Sequence, residues 1–443
     1  MFKDTKNVWT LSNCKVVTVD ALDHYYREGR VIIENGRIQA VGAANEIPIQ
    51  GQEFNLGGRI LMPGLVNTHT HSPSSIFRGL ADDLPLRIWL EEHMWPAEKN
   101  LTADLALLAS RLSYLEYLTN GMTTNVDMWY FAESVMQAAK ESGLRSFIAA
   151  GIFSFPSPES DDSLGAAEAF LARHCSEIPP ESRVRPAVGP HDAYSCSPEI
   201  LSRTAALAKN YGVLTTIHLS EAKGDNEEIL QKYGVSPTRY MEECGLFENP
   251  VVCAHGIYLS GEDLDILHRH NVGISYNPVS NMKLCDGVLP LKHLMEKKVP
   301  VSIGVDGAQS NNSLSLLADI KTGVLLQKIT MNDPAFFTAG QAVHMMTIDG
   351  AAAVGMADQI GSIEVGKRAD LITLDVDFPG FTPLDDRDID HVYSHIIYTS
   401  PRVNDVFVDG EILMRDKLPL RVNAEKTVQD LKHAAKALLF DTL

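Results

Sequence analysis

The stretch Pro63-Gly64-Leu65-Val66-Asn67-Thr68-His69-Thr70-His71 decides how the rest of the chain is read. A Pro-Gly pair interrupts what precedes it, Leu65 and Val66 open an apolar strand, and the strand ends in two histidines at i and i+2. Extended chain puts such residues on one face, where two imidazoles can share a metal ion. The pattern recurs downstream. His218 follows the apolar run Val213 to Ile217, with Glu221 three residues on, His255 follows Val251 to Ala254, and Asp306 follows Val301 to Val305. Residues able to ligate metal or move a proton thus stand at the C-terminal ends of four separate strands.

Working outward, eight runs read as strands: Leu65–His69, Met122–Asp127, Arg145–Ile152, Val184–Gly189, Val213–His218, Val251–Ala254, Val272–Tyr276 and Val301–Val305. Helical patterns separate several of them. Thr102 to Leu118 carries Leu105, Leu108, Leu112 and Leu115 at helical spacing, and Pro198 to Lys209 carries Ile200, Leu201 and Leu207. Strands alternating with helices over about 300 residues predict an α/β fold, a (β/α)8 TIM barrel with its active site at the carboxyl ends of the strands. The two ends of the chain differ from this middle. Short β-rich runs fill the start, with Asn35-Gly36 as a hairpin turn, and the same texture returns in Gly361–Asp375 and in Val403–Met414, where Asp409-Gly410 marks another. Chain termini tend to lie close together, so residues 1–62 plus 362–443 are expected to form one small composite β-sandwich domain. From Glu425, a helix with Val428, Leu431, Ala435 and Leu438 on one face would dock at its end. Residues 63–361 would form the barrel.

Charge and composition exclude several functions. The 443 residues hold 38 Lys and Arg against 57 Asp and Glu, a net charge of −19 with no basic patch, which repels phosphate backbones and anionic membranes. Neither nucleic acid nor membrane is expected as a partner. No apolar run approaches the roughly 18 residues of a membrane helix, and Met1 to Lys6 lacks the apolar core of a leader. The six cysteines are scattered without a C-x-x-C pair, as in a protein of reduced thiols. A cytoplasmic location is expected.

Further motifs carry a resemblance. Beside the Pro63–His71 stretch stand Asn120-Gly-Met-Thr-Thr-Asn-Val-Asp127, His191-Asp-Ala-Tyr-Ser-Cys-Ser197, Ile217-His-Leu-Ser-Glu221, Ala254-His255, Ser275-Tyr-Asn-Pro-Val-Ser-Asn281, Gly304-Val-Asp-Gly-Ala-Gln-Ser-Asn-Asn312 and the Gly361–Asp370 segment. With these the chain resembles the amidohydrolase superfamily over nearly its whole length, and within it the methylthioadenosine/S-adenosylhomocysteine deaminase group, a relative of the triazine hydrolases. The resemblance implies that His69, His71, His218 and Asp306 hold one divalent metal ion per subunit, Zn2+ or alternatively Fe2+. Two-metal members carry a lysine at the end of the fourth strand; here Val184 to Gly189 runs into Pro190 and His191, so one ion is expected. The family's roles would make Glu221 the proton donor to the substrate ring, Asp306 the acceptor of a proton from the attacking water, and His255 the group that holds that water in line. Glu98 would bind both ribose hydroxyls and His191 the purine or sugar. Trp89, Trp95, Trp129 and Phe153 are of a kind that can wall an aromatic pocket but more often pack in a core, so they are left out of the expected site.

The implied reaction is hydrolytic deamination of an adenine nucleoside by an enzyme that is a homo-oligomer. Two alternatives fit the same pieces: hydrolysis of another amino- or chloro-heterocycle of triazine, guanine or pterin type, and a non-catalytic amidohydrolase-like scaffold. One departure bears on the substrate. Members that accept S-adenosylhomocysteine carry arginines after the third strand, whereas this chain has Ile152-Phe-Ser-Phe-Pro-Ser-Pro158 followed by Glu159, Asp161 and Asp162. The expectation therefore moves to methylthioadenosine, adenosine or 5′-deoxyadenosine, unless Arg78 or a neighbouring subunit supplies the cation.

Overall fold

Apolar periodicity of 2 and of 3.6 alternates along the middle of the chain, and the computed structural model turns it into strands and helices where the pattern changes. It describes residues 8–177, 179 and 181–439; Met1 to Lys6 and the side chain of Leu438 lie outside these. The chain forms two compact units, one gathering residues up to Val66, Tyr117–Thr124 and Leu316–Arg421, the other Asn67–Glu116, Asn125–Ser315 and the chain from Val422.

The barrel lies in the second unit apart from the first residues of two of its strands, 65–66 and 122–124, which group with the first. Its strands are β1 (Leu65–His71), β2 (Met122–Trp129), β3 (Arg145–Ile152), β4 (Val184–Pro190), β5 (Thr215–Leu219), β6 (Val251–His255), β7 (Gly273–Tyr276) and β8 (Val301–Ile303), hydrogen-bonded in that order. Closure comes from β8. Its residues Val301–Ile303 pair in parallel with β7, and a step later Asp306 and Gly307 pair in parallel with Thr70 and His71 of β1. One segment thus occupies both edges of the sheet and leaves no open edge. The step needs a glycine: a Cβ on Gly304 would lie 2.5 Å from Asn277 Oδ1 and 2.8 Å from the His69 carbonyl oxygen. At the ends of β5, β6 and β8 the chain turns through left-handed conformations at Ser220 (φ 48°), His255 (φ 74°) and Asp306 (φ 61°). Such conformations cost energy in non-glycine residues and cluster at functional sites.

In the first unit both chain ends enter one nine-stranded mixed sheet. Ile60–Pro63 pairs antiparallel with Leu371–Leu374, which joins the N-terminal strands to Val403–Val408 and Glu411–Arg415. Its core mixes Leu11, Val31 and Ile33 from the start of the chain with Leu371 and Phe407 from the end. The two expected hairpin turns are present, with consecutive positive φ at Asn35 and Gly36 and at Asp409 and Gly410, the pairing that suits the twist of adjacent strands.

The compact units are drawn differently from a division into 1–62 plus 362–443 and 63–361. Helices Leu316–Met331, Ala339–Met346 and Ile389–Thr399 pack on one another and group with the sheet. The C-terminal helix Ala424–Leu439 groups with the barrel, because Leu431 is buried in a cluster with Ile76, Phe77, Trp89 and Met94. Among the described residues no helix is long and apolar enough to cross a membrane, and all six cysteines are free thiols.

Candidate active site

The carboxyl ends of the strands bring the separate histidines together. His69 and His71 leave β1 on one face with their ring centroids 4.7 Å apart, and His218 of β5 lies 4.9 Å from His69. Hydrogen bonds orient the rings. His71 Nδ1 donates to the Met128 carbonyl at 2.6 Å and His218 Nδ1 donates to the His191 carbonyl at 2.7 Å. A neutral imidazole whose Nδ1 carries the hydrogen keeps a bare lone pair on Nε2. Those two lone pairs face each other, His71 Nε2 standing 3.2 Å from His218 Nε2. Asp306 Oδ1 lies 3.3 Å from both His69 Nε2 and His71 Nε2, while its Oδ2 accepts from Ser280 Oγ at 2.6 Å and Ser310 Oγ at 2.8 Å. His69 is fully buried and neither of its nitrogens has a hydrogen-bond partner among the described residues.

Acceptors converging on one point without a donor are costly unless a cation lies among them. The ligand atoms of His69, His71 and His218 fall within 4.8 Å of one another, as do those of His69, His255 and Asp306. Burial pushes the His71 and His218 imidazoles down to about 4, so they are neutral and able to ligate at neutral pH. Burial by itself would raise Asp306, yet the imidazoles of His69, His71 and His255 hold it well below the usual carboxylate range. Three neutral imidazoles and a carboxylate fit a divalent ion of the zinc type.

The other expected residues surround this cluster. Burial, then the carboxyls of Asp286 and Asp306, raises Glu221 well above the ordinary range. His255, 1% exposed, lies with its Nε2 3.5 Å from Glu221 Oε1. Asn281 Nδ2 donates to His255 Nδ1 at 2.8 Å, which places the imidazole hydrogen on Nε2, facing the pocket. Glu98, 4% exposed, is raised to about 7 by burial against a hydrogen bond from Tyr130. His191 bonds Ser195 Oγ at 2.9 Å and lies with its ring 5.0 Å from Phe153. Glu98, Tyr130, Phe153, His191, Glu221, His255 and Asp306 line one pocket.

The four aromatic residues left out of the expected site, Trp89, Trp95, Trp129 and Phe153, line the same pocket. Trp89 opens a wide π-helical turn, Trp89–Met94, and Trp95 starts the short helix Trp95–Glu98 that follows it, with Pro96 next. Pro96 has no N–H to continue a regular helix. Sequence reading also passed over Ser280, Ser310 and Asn281; all three stand in quoted motifs, yet only the fold shows which side chain each one holds. No lysine or arginine is among the described lining residues. Arg78 is occupied in a two-bond pair with Glu116, the shorter at 2.5 Å. Arg87 stacks 4.1 Å from the Tyr194 ring centroid and is held by Asp225 at 2.9 Å and Glu228 at 3.0 Å.

Comparison with known proteins agrees with this architecture. The profile of the amidohydrolase family matches residues 60–413. A 5-methylthioadenosine/S-adenosylhomocysteine deaminase of Desulforudis audaxviator is 38% identical over 435 residues, covering 97% of this chain and 98% of that protein. A 5′-deoxyadenosine deaminase of Methanothermobacter thermautotrophicus is 38% identical over 415 residues, 93% of this chain and 95% of the relative. The crystal structure of an adenosine deaminase from Xanthomonas campestris with bound zinc superposes with a TM-score of 0.91 at 27% identity, over 97% of this chain and 98% of that one.

Proposed function

The chain belongs to the amidohydrolase family, and from that premise we propose that it replaces the 6-amino group of an adenine nucleoside with oxygen, releasing ammonia and the inosine counterpart. The observation that carries this reading is the cluster of His69, His71, His218 and Asp306 at the edge of a pocket that Glu221 also lines, a buried carboxyl raised well above the ordinary range. The names of the relatives at 38% identity, deaminases of adenine nucleosides, support it.

In this reading His69, His71, His218 and Asp306 hold one Zn2+, with Fe2+ as the second choice. Such an ion, when bound, activates water as a nucleophile near neutral pH. Glu221 gives its proton to the ring nitrogen next to C6, which makes that carbon electrophilic. Asp306, fixed by two serine hydroxyls on Oδ2, takes one proton of the attacking water through Oδ1 and passes it to the departing ammonia, while the proton left on the C6 hydroxyl returns to Glu221 as the carbonyl forms. His255 presents an Nε2 hydrogen toward the oxygen that gains charge. Glu98 receives the ribose hydroxyls as a carboxylate, and because burial raises it, binding of those donors favours its ionisation. His191 contacts the purine or sugar across from Phe153.

The 5′ end of the substrate is uncharged in this proposal. A carboxylate there would enter a pocket whose lining holds Glu98, Glu221 and Asp306 and, among the described residues, no lysine or arginine, so methylthioadenosine, adenosine and 5′-deoxyadenosine are favoured over S-adenosylhomocysteine. The test is ammonia release by zinc-loaded protein from these four nucleosides, guanine and a chloro-triazine. Fastest turnover of S-adenosylhomocysteine would overturn the reading of the 5′ end. Turnover of guanine or triazine alone would overturn the nucleoside reading. Protein purified without chelator that holds no metal, and that added Zn2+ does not activate, would be a scaffold.

A further inference from the structure

Beyond β8 the chain turns through Asp306 to Asn311, and each polar side chain of that turn except one is hydrogen-bonded among the described residues. Ser310 Oγ donates to Asp306 Oδ2 at 2.8 Å, and Asn311 Nδ2 donates to the Val305 carbonyl at 2.7 Å. Gln309 is the exception. It lines the pocket and is 5% exposed, and its Oε1 is buried with no donor among the described residues. Such an oxygen costs energy unless a ligand supplies the donor. The backbone beneath it is held, since the Gln309 carbonyl accepts from Lys283 Nζ at 3.2 Å. A neighbouring glycine makes room for the amide: a Cβ on Gly307 would lie 2.7 Å from both Cδ and Nε2 of Gln309 and closer still to Oε1. Gly307 has φ −87° and ψ 153°, a conformation open to any residue. It is the space beside it, not its backbone, that calls for glycine.

We propose that Gln309 is a substrate-binding residue that reads the adenine edge turned away from Glu221, its Oε1 accepting from the 6-amino group and its Nε2 donating to N7. This deepens the proposed deamination and rests on it. The placement follows from the order of the strands. Glu221 stands two residues beyond β5, whereas the Gln309 amide lies against Gly307, which pairs with His71 of β1. In a closed ring of eight strands, β5 and β1 are opposite each other. The base is two-sided about its reacting carbon in the same way: C6 has N1 on one side, where Glu221 delivers its proton, and C5 with N7 on the other. A base that puts N1 at Glu221 therefore turns its 6-amino group and N7 toward β1. That edge offers one donor beside one acceptor, and a carboxamide offers the reverse pair, the two-bond match by which glutamine recognises adenine in nucleic acids. Guanine shows two acceptors, O6 and N7, at the same edge, so the amide counts against it.

The experiment removes one partner at a time. For zinc-loaded wild type, Gln309→Met and Gln309→Ala, kcat/KM is measured on adenosine, on 7-deazaadenosine, which lacks N7, and on 3-deazaadenosine, which lacks a nitrogen far from that edge. The preference for adenosine over 7-deazaadenosine should fall in both variants by about 5- to 150-fold, the worth of a hydrogen bond whose loss leaves its partner unsatisfied. The preference over 3-deazaadenosine should not change. What a missing nitrogen does to the reactivity of the base is common to all three proteins and cancels in the comparison. Methionine keeps the bulk of the side chain and alanine does not, so agreement between the variants separates the lost bond from lost packing. Variants that slow equally on all three nucleosides overturn the inference, as do variants in which both preferences fall together. Fast deamination of adenosine with unchanged preferences sinks the role of Gln309 and leaves the proposed reaction standing. A wild type that turns over no adenine nucleoside, yet releases ammonia from guanine, sinks both.

Discussion

Asp405 in the composite sheet and Glu221 in the barrel pocket are both acids withdrawn from water, and their surroundings are opposite. Asp405, 3% exposed, accepts from the Thr373 hydroxyl, from Arg59 Nη1 at 2.9 Å and from the Asp416 N–H at 3.0 Å. Every bond ties one strand or turn of the sheet to another. Glu221 is surrounded by Asp286, Asp306 and Asp225, and near it His69 and Asp286 keep buried atoms without partners. A buried acid met by donors serves the fold, whereas one set among like charges is the better candidate for moving a proton.

The sharpest way to break the comparison is to remove a ligand of the cluster. His218→Ala should lower bound zinc from one per chain toward none by metal analysis, with turnover below about one ten-thousandth of wild type; full activity in a zinc-free variant would dissolve the proposed site. Glu221→Gln keeps the shape and the metal and removes the proton, so kcat should fall by about 100- to 10,000-fold, as for loss of a general acid. Zinc content should not change.

Glu98 tests whether the pocket holds its acids at a cost to stability. Its carboxyl is raised from 4.5 to about 7 by burial. Below 4.5 the group is neutral in both folded and unfolded chains and contributes nothing. As pH rises toward 7 the unfolded chain releases its proton first, so the folded state loses relative stability, and above 7 the penalty is complete at about 3 kcal/mol. Glu98→Gln should therefore match wild type in urea unfolding of the metal-loaded protein at pH 4.5 and exceed it at pH 8; equal stability at both would place Glu98 in a solvated setting. The smallest effect belongs to the sheet. Asp405→Ala should cost about 1.5–3 kcal/mol, the worth of hydrogen bonds to a charged group, and leave kcat and KM unchanged.

Much of this was legible without coordinates. A buried strand is a run of apolar residues, and the residue after it is the first that can be polar; hence the polar side chains His71, His218, His255 and Asp306 announced themselves as candidates. The aromatic residues did not. An aromatic side chain in a core and one lining a pocket look alike in sequence, and whether Trp129 meets packing or empty space depends on what other segments put opposite it. The C-terminal helix shows the same limit: its apolar face was plain, but a face does not name its partner, and Leu431 buries among Ile76 and Met94.

Local order along the chain, then, determined the alternation of strands and helices, the hairpin turns and the identity of the chemical groups, since these depend on residues a few positions apart. Tertiary structure alone decided the pairings made across long separations: Asp306 reaching β1 to close the barrel, Ser280 fixing its Oδ2 and Asn281 setting the hydrogen on His255. The reason is physical. Spacing in sequence limits which groups can be neighbours only over a turn or two, whereas which buried acid meets which donor is settled when the strands close on one another.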